Sequence, residues 1–359
     1  MALRLLPIEK AAAVYCAATS VLMVIMMPRL VEPERMALMR IAWLAMTLAL
    51  AALSHYLTSK FAPSRSNSPL STFNFPLDLG RSTLGELSAR ACSLDPSRTL
   101  HFQLSTFLRT AAQLAWLILW YPDTYEFNRC FPNLDHHFAQ LDLSLFGCQP
   151  SLLFSQLVPS TAWAEAFCMG YWCYFPMIAL LSVVVLCMDW RSGDFTTFKR
   201  VTATIITAFF LYYCIYIFLP VAGPQYYFHA VGVDEIVQGH FPHLGLYFSD
   251  HTDLVTLPGD PDGLFHRLVD NAHATGERPT AAFPSSHIGI STILLLLARR
   301  HAPWLIIVLL PLWALLCCAT VYIQAHYLVD AIAGLISAPL ILYLAEWMLR
   351  PFLSRQSRC

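Results

Sequence analysis

Charge is scarce along this chain. Asp, Glu, Lys and Arg make up 13% of its 359 residues while 57% are hydrophobic, and soluble domains carry roughly a quarter charged residues. The formal net charge of −1 argues against a nucleic-acid partner and against a basic face docking on anionic lipid. No Gly-x-x-x-x-Gly-Lys-Ser/Thr or Gly-x-Gly-x-x-Gly run occurs, so nucleotide chemistry has no sequence support and no cofactor is expected. Metal-type His/Cys spacings and Cys-x-x-Cys pairs are missing as well, and no metal is expected. Most of the 11 cysteines, such as Cys168, Cys317 and Cys318, sit in apolar runs as small core residues. Cys130 and Cys148 share a polar segment where oxidising surroundings would permit a disulfide. There is no internal repeat.

What the chain does have is long apolar runs, at about 8–28, 36–56, 103–120, 161–188, 200–220, 303–322 and 329–349. Each is long enough to cross a bilayer, for which about 20 residues are needed. An eighth, about 284–298, is short, so its first residues are recessed below the headgroups. The expected architecture is an all-α integral membrane protein of about eight spans. Residues 1–56 form an N-terminal pair, 57–102 an inner linker rich in Ser and Arg, 103–350 a six-helix catalytic domain and 351–359 a basic inner tail. The first run lacks a small-x-small cleavage site and is expected to stay as an anchor.

Basic residues orient these spans. With both termini inside, Arg191, Lys199, Arg200, Arg299, Arg300, Arg350, Arg355 and Arg358 fall on the inner side with most other cations. The outer side keeps Arg29, Arg35, Arg129, Arg267 and Arg278, as the positive-inside rule requires. Segments 121–160 and 221–283 then lie outside. The first carries Asp123, Glu126, Asp135 and Asp142 among apolar residues and suits surface helices. The second, about 60 residues rich in His, Asp, Gly and Pro, reads as a lid. Short inner loops and the absence of eukaryotic sorting signals point to a bacterial inner membrane with the site on its periplasmic face.

Two outer segments carry the chemistry: Phe283-Pro-Ser-Ser-His287 and Ala325-His-Tyr-Leu-Val-Asp330. Four residues make about one helical turn, which places Asp330 within reach of the His326 imidazole. A carboxylate that accepts one ring N–H fixes the tautomer of a nucleophilic histidine, and His287 is available to move protons to and from alcohols. Taken alone, Ser-Ser-His is a helix cap with an interfacial histidine, and His326–Asp330 is equally a structural pair. Both motifs on one membrane face favour catalysis through a phosphohistidine. Ser285 or Ser286 caps the following helix, whose free N–H groups attract an anion. Gly223, Gln225 and Tyr226, at the outer end of the fifth apolar run, are further candidates to bind phosphate.

These segments resemble the second and third signature motifs of the type 2 phosphatidic acid phosphatase superfamily, and most resemble its inositol phosphorylceramide synthase-like branch. Ala-Phe-Pro-Ser-Ser-His (282–287) stands where broader members carry Pro-Ser-Gly-His. Ala-Thr-Val-Tyr-Ile-Gln-Ala-His-Tyr-Leu-Val-Asp (319–330) is similar to the synthase third motif, with Thr320 where phosphatases have arginine. Gly223-Pro-Gln-Tyr-Tyr227 resembles the segment that replaces the first motif. The likeness spans about 120–350. It implies His326 as nucleophile, Asp330 as its partner and His287 as general acid/base, acting on membrane lipids. The phosphatase first motif, Lys then six residues then Arg-Pro, is incomplete: Arg278-Pro279 is present, but Asn271 stands at the lysine position. Arg278 is the first candidate for the phosphate-binding cation, with Arg129 and Arg267 behind it. The implied activity is transfer of a phospho-headgroup, phosphoinositol-like, to an acceptor such as a ceramide. The alternatives are a lipid phosphate or polyprenyl diphosphate phosphatase, and a non-enzymatic transporter or scaffold.

Overall fold

The computed structural model describes residues 4–60 and 96–353. The inner linker expected over 57–102 and the tail over 351–359 therefore lie mostly outside the described residues. The ordered elements are α1 Pro7–Met26, α2 Pro33–Lys60, α3 Pro96–Asn128, α4 Asp135–Phe146, α5 Pro150–Leu157, α6 Thr161–Trp172 and α7 Tyr174–Ser192. They continue with α8 Thr196–Phe218, α9 Pro224–Val231, α10 Val233–Val237, α11 Leu264–Gly276, α12 Ser286–His301, α13 Ile306–Tyr322 and α14 Leu328–Leu353. No strand occurs among the described residues. Proline opens α1, α2, α3, α5 and α9, where its fixed φ suits the first turn and its missing N–H would have no helix partner. Gly147 (φ 68°) and Gly193 (φ 75°) close α4 and α7 in the left-handed conformation.

Six stretches are long and apolar enough to cross a membrane: Pro7–Arg29, Pro33–Leu57, Tyr174–Ser192, Thr196–Phe218, Pro303–Tyr322 and Leu328–Leu353. The run expected over 161–188 is divided at Cys173 into α6 and α7. Pro176 is the reason, since it has no N–H for the Trp172 carbonyl one turn back. The other two expected spans, α3 and α12, are packed among the six. Helix α12 has only 16 residues. It lies against α7, α8, α13 and α14, burying Ile290, Ile293, Leu294 and Leu297.

Helix α3 owes its lower hydropathy to polar residues that neighbouring helices satisfy. Arg109 donates from Nε to Glu9 of α1 at 2.7 Å and makes a second bond from Nη2. Gln113 accepts from Trp43 at 2.8 Å and donates to Thr47 at 3.0 Å on α2. Asp123 accepts from Arg40 of α2 at 2.7 Å. The centre of the bundle is α8, which touches α1, α3, α7, α12 and α14. Its aromatic side reaches α1, where Phe210 stacks on Tyr15 at 4.2 Å. The segments expected on the outer side are more regular than their composition suggests: 121–160 contributes α4 and α5, and the expected lid contains α9, α10 and α11. Cys130 and Cys148 are both free thiols.

Glu9 is fully buried against Arg109, so removing one partner leaves a charge with no compensation. Arg109→Ala is expected to lower stability by roughly 3–5 kcal/mol. Adding Glu9→Gln should recover most of that loss in denaturant unfolding followed in detergent.

Candidate active site

The two histidine-bearing segments meet above the ends of α12 and α14. Helix α13 stops at Tyr322, and a turn through Gln324 (φ 64°) carries the chain to His326, whose N–H returns to the Thr320 carbonyl at 2.9 Å. The His326 ring is buried, with Nδ1 2.8 Å from the carbonyl oxygen of Ala282. A carbonyl can only accept, so the ring proton resides on Nδ1 and the Nε2 lone pair is free. Nε2 lies 3.4 Å from Nδ1 of His287, and the two rings are 5.6 Å apart at 65°. Burial pushes the His326 pKa down to about 4, which keeps the imidazole neutral at physiological pH.

His287 is the second residue of α12 and lies between two tyrosines, Tyr171 at 4.7 Å and Tyr174 at 4.6 Å between ring centres. Ser285 caps α12 by accepting the Ile288 N–H at 3.4 Å, and its own N–H donates to the Asp330 carbonyl at 3.1 Å. Ser285 is thus fully buried in the scaffold. Ser286 begins the helix, and its carbonyl accepts from the Tyr174 hydroxyl at 3.4 Å. First-turn N–H groups such as those of Ser286 and His287 have no partner within their own helix.

Asp330 comes to the same place but bonds differently from the expectation. Its Oδ2 is 3.7 Å from His326 Nδ1, beyond hydrogen-bond range, and accepts the Tyr327 N–H at 3.0 Å. The cause is local: α14 begins at Leu328, so His326 precedes the helix and is not stacked one turn from Asp330. The proton on Nδ1 goes to Ala282, and the Asp330 carboxyl group stands beside the ring without bonding to it. Its Oδ1 is buried without a hydrogen-bond partner among the described residues.

Two acidic residues of α4 hold this arrangement. Asp142 accepts the N–H groups of Leu328 and Val329, each at 3.0 Å, and so caps α14 from another helix. Asp135 is wholly buried and accepts from the N–H groups of Ala222 (2.6 Å) and Gly223 (2.8 Å), the Asn133 amide and the Tyr327 hydroxyl (3.0 Å). The Gly223 segment is thereby laid against the His326 turn. Gly223 has φ 98°, and a Cβ there would lie 2.7 Å from the Ala325 carbonyl. Gln225 continues the contact with an N–H bond to the Gln324 carbonyl at 2.8 Å. The main-chain donors of Gly223 and Gln225 are therefore engaged by the scaffold, and the two residues build the wall of the site. Tyr226 is buried, with its ring 6.3 Å from Phe248.

Among the candidate cations, Arg278 is partly buried and donates from Nη1 to the Glu277 carbonyl at 3.2 Å. Arg129 is occupied by Glu126 (3.3 Å), Asp250 (3.6 Å) and the Ser249 carbonyl. Arg267 is exposed on α11. None of the three bonds to either motif histidine. The sequence also drew attention to Arg278-Pro279 without its neighbours. Glu277 receives the Gln225 side-chain amide at 3.5 Å, and burial pushes its carboxyl up to about 7 against the pull of Gln225 and Arg278. His273 is buried edge-on to Tyr171 at 5.9 Å, with Nε2 unpartnered among the described residues. Burial lowers its pKa to about 4. The only signal for these two was their place in the His- and Asp-rich segment before His287.

Gly223→Ala tests the close approach. The side chain would strain a positive-φ position by roughly 1–3 kcal/mol and press on the residue before His326. A lower unfolding temperature is expected, together with faster modification of His326 by diethyl pyrocarbonate. Unchanged values for both would show that the turn is not held by this contact.

Neither a curated protein nor a solved structure matches the chain. A family model described as PAP2 superfamily matches residues 136–344. The matched region runs from α4 to α14 and includes both histidine turns, the Gly223 segment and the carboxylates Asp142 and Asp330, with Asp135 one residue before its start. With more than half its length inside that match, and with its apolar helices gathered around a buried histidine pair, the chain belongs to the PAP2 superfamily and is a membrane enzyme of the phosphatase and phosphotransferase type.

Proposed function

We propose that the protein transfers a phospho-headgroup between membrane lipids through a phosphohistidine on His326. The observation that carries this reading is the locked tautomer: Nδ1–H on the Ala282 carbonyl at 2.8 Å and a free Nε2 facing His287 at 3.4 Å. Nε2 attacks phosphorus, and the lipid alcohol leaves with a proton from His287. As the N–P bond forms, the His326 ring gains positive charge while Nδ1 keeps its proton. The Asp330 carboxylate, 3.7 Å away, stabilises that charge without taking the proton. The opening N–H groups of α12 at Ser286 and His287 supply positive potential for the phosphoryl oxygens, with Arg278 the first cation to test. In the second half-reaction His287 takes the proton of the acceptor alcohol, the new O–P bond forms and His326 leaves as a neutral imidazole.

Transfer to an alcohol is favoured over hydrolysis by what occupies the third-motif position. Thr320 is fully buried, its hydroxyl bonds the Cys317 carbonyl at 2.9 Å and its carbonyl positions His326. It puts no cation where the phosphatase pattern has arginine. A phosphoinositol-like donor and a ceramide-like acceptor fit the synthase resemblance. The excess of Lys and Arg at the opposite helix ends supports a site on the outer face, periplasmic in a bacterial inner membrane.

Purified protein should be given radiolabelled phospholipids with and without ceramide, and both free phosphate and new phospholipid measured. A ceramide-dependent phosphosphingolipid that vanishes in His326→Ala is the expected product. Free phosphate as the main product would replace transfer with hydrolysis, and full turnover by His326→Ala would remove the mechanism. His287→Ala should slow turnover by about 10²–10⁴-fold, because both half-reactions lose their proton carrier.

The pH profile gives a separate check. Protonation removes the Nε2 lone pair, so activity is retained above the His326 pKa and lost as pH falls through it. With that pKa near 4, the acid limb of kcat/KM belonging to His326 should lie near pH 4. An unperturbed histidine would place it near 6.5.

A further inference from the structure

An apolar groove of about 520 Å3 is lined at one end by side chains that neighbour the two motif histidines in sequence, and its volume lies within the roughly 300–1,000 Å3 usual for small-molecule sites. One end lies between Ile288, the residue after His287, and Leu328, two residues after His326. From there it descends between α13 and α14, past Cys317 and Trp313 on one wall and Leu335 on the other, with Phe154 of α5 above it. Trp313 to Val321 spans about 12 Å of helix and Leu328 to Leu335 about 10 Å, at about 1.5 Å per residue. The slot is thus about two helical turns deep and runs along the helix axes.

Its chemistry narrows the occupant. The lining side chains are apolar or thiol, and the one polar group among them, Trp313 Nε1, is already bonded to Thr292 at 3.0 Å. Such a groove recognises no headgroup. Both long walls belong to stretches able to span a membrane, so the mouth opens to hydrocarbon and the axis follows the direction of lipid chains. The groove is also built in advance: Phe154 is fixed by ring contacts with Tyr322 at 5.4 Å and Phe167 at 5.5 Å.

We infer that this groove receives one hydrocarbon chain of the lipid substrate and leads its head end, between Ile288 and Leu328, to the histidines. The inference rests on the proposed lipid-phosphoester chemistry. It adds a chain-binding subsite on the α5–α13–α14 side, separate from the tyrosines that hold His287 on α6 and α7.

Leu335→Trp fills the lower half of the groove without touching the histidine turns. Ile336→Trp is the control, because Ile336 is 69% exposed on the same helix and does not line the groove. Each variant is assayed on the active lipid donor with 16-carbon and with 4-carbon chains. Leu335→Trp should lower kcat/KM about tenfold or more for the long-chain donor and little for the short one, as expected when several buried methylenes lose their place. The control should resemble the parent. In parallel, a 16-carbon alkyl phosphonate should slow maleimide labelling of Cys317 and Cys318 in the unmodified protein, and a 4-carbon phosphonate should not. Equal loss for both chain lengths, no loss for either, or labelling indifferent to the long chain would overturn the subsite and leave the groove to bulk lipid. If the parent turns over no lipid phosphoester, the functional proposal falls instead, and labelling alone decides the groove.

Discussion

The geometry of the site depends on one buried carboxylate. Asp135 gathers donors from the Ala222–Gly223 backbone, from Asn133 and from the Tyr327 hydroxyl, joining the end of α8, the start of α4 and the His326 turn. A fully buried carboxylate is tolerated only when its lone pairs are matched. Once matched, it fixes every segment it touches. With the Gly223 segment in place, Ala282 is held through its N–H bond to Val221 at 3.1 Å, and the Ala282 carbonyl then meets His326. The tautomer of one histidine is therefore set by a chain of contacts that begins on a surface helix.

Around this node the protein combines two kinds of environment. The helices that span the membrane meet mostly through apolar faces, with α8 buried at the centre. The cap formed by α4, α5 and α9 to α11 is denser in polar contacts, and two of its acidic residues accept backbone N–H groups. Asp142 and Asp135 both do this at the start of α14 or beside it. Negative charge at a helix start is favourable, so the cap stabilises the element that presents Asp330.

The long apolar runs and the two histidine motifs were legible because both are written in side chains. Period, length and residue type identified the spans, and the motif spacing identified the pair of histidines. The partners of those histidines were not legible. His326 is oriented by a backbone carbonyl, and Asp135 is defined by N–H groups 87 and 88 residues away, which leave no residue-type signature. Asp330 was placed correctly but given the hydrogen bond of an unbroken helix, whereas α14 starts two residues after His326. The lid read as irregular because Gly and Pro punctuate it, yet Val269 is buried on α11 against α6. Glu277 and His273 come to lie near Gln225 and Tyr171 through the fold, which composition does not reveal.

The ties between α3 and the first two helices bear on how the chain enters its membrane. Arg109 and Asp123 are costly in hydrocarbon when alone, and their partners Glu9 and Arg40 are synthesised earlier, on α1 and α2. A translocon that released α1 and α2 before α3 emerged would leave Glu9 and Arg40 in lipid without those partners. With α1 and α2 still at hand, each charge of α3 would meet its partner as that helix enters the bilayer.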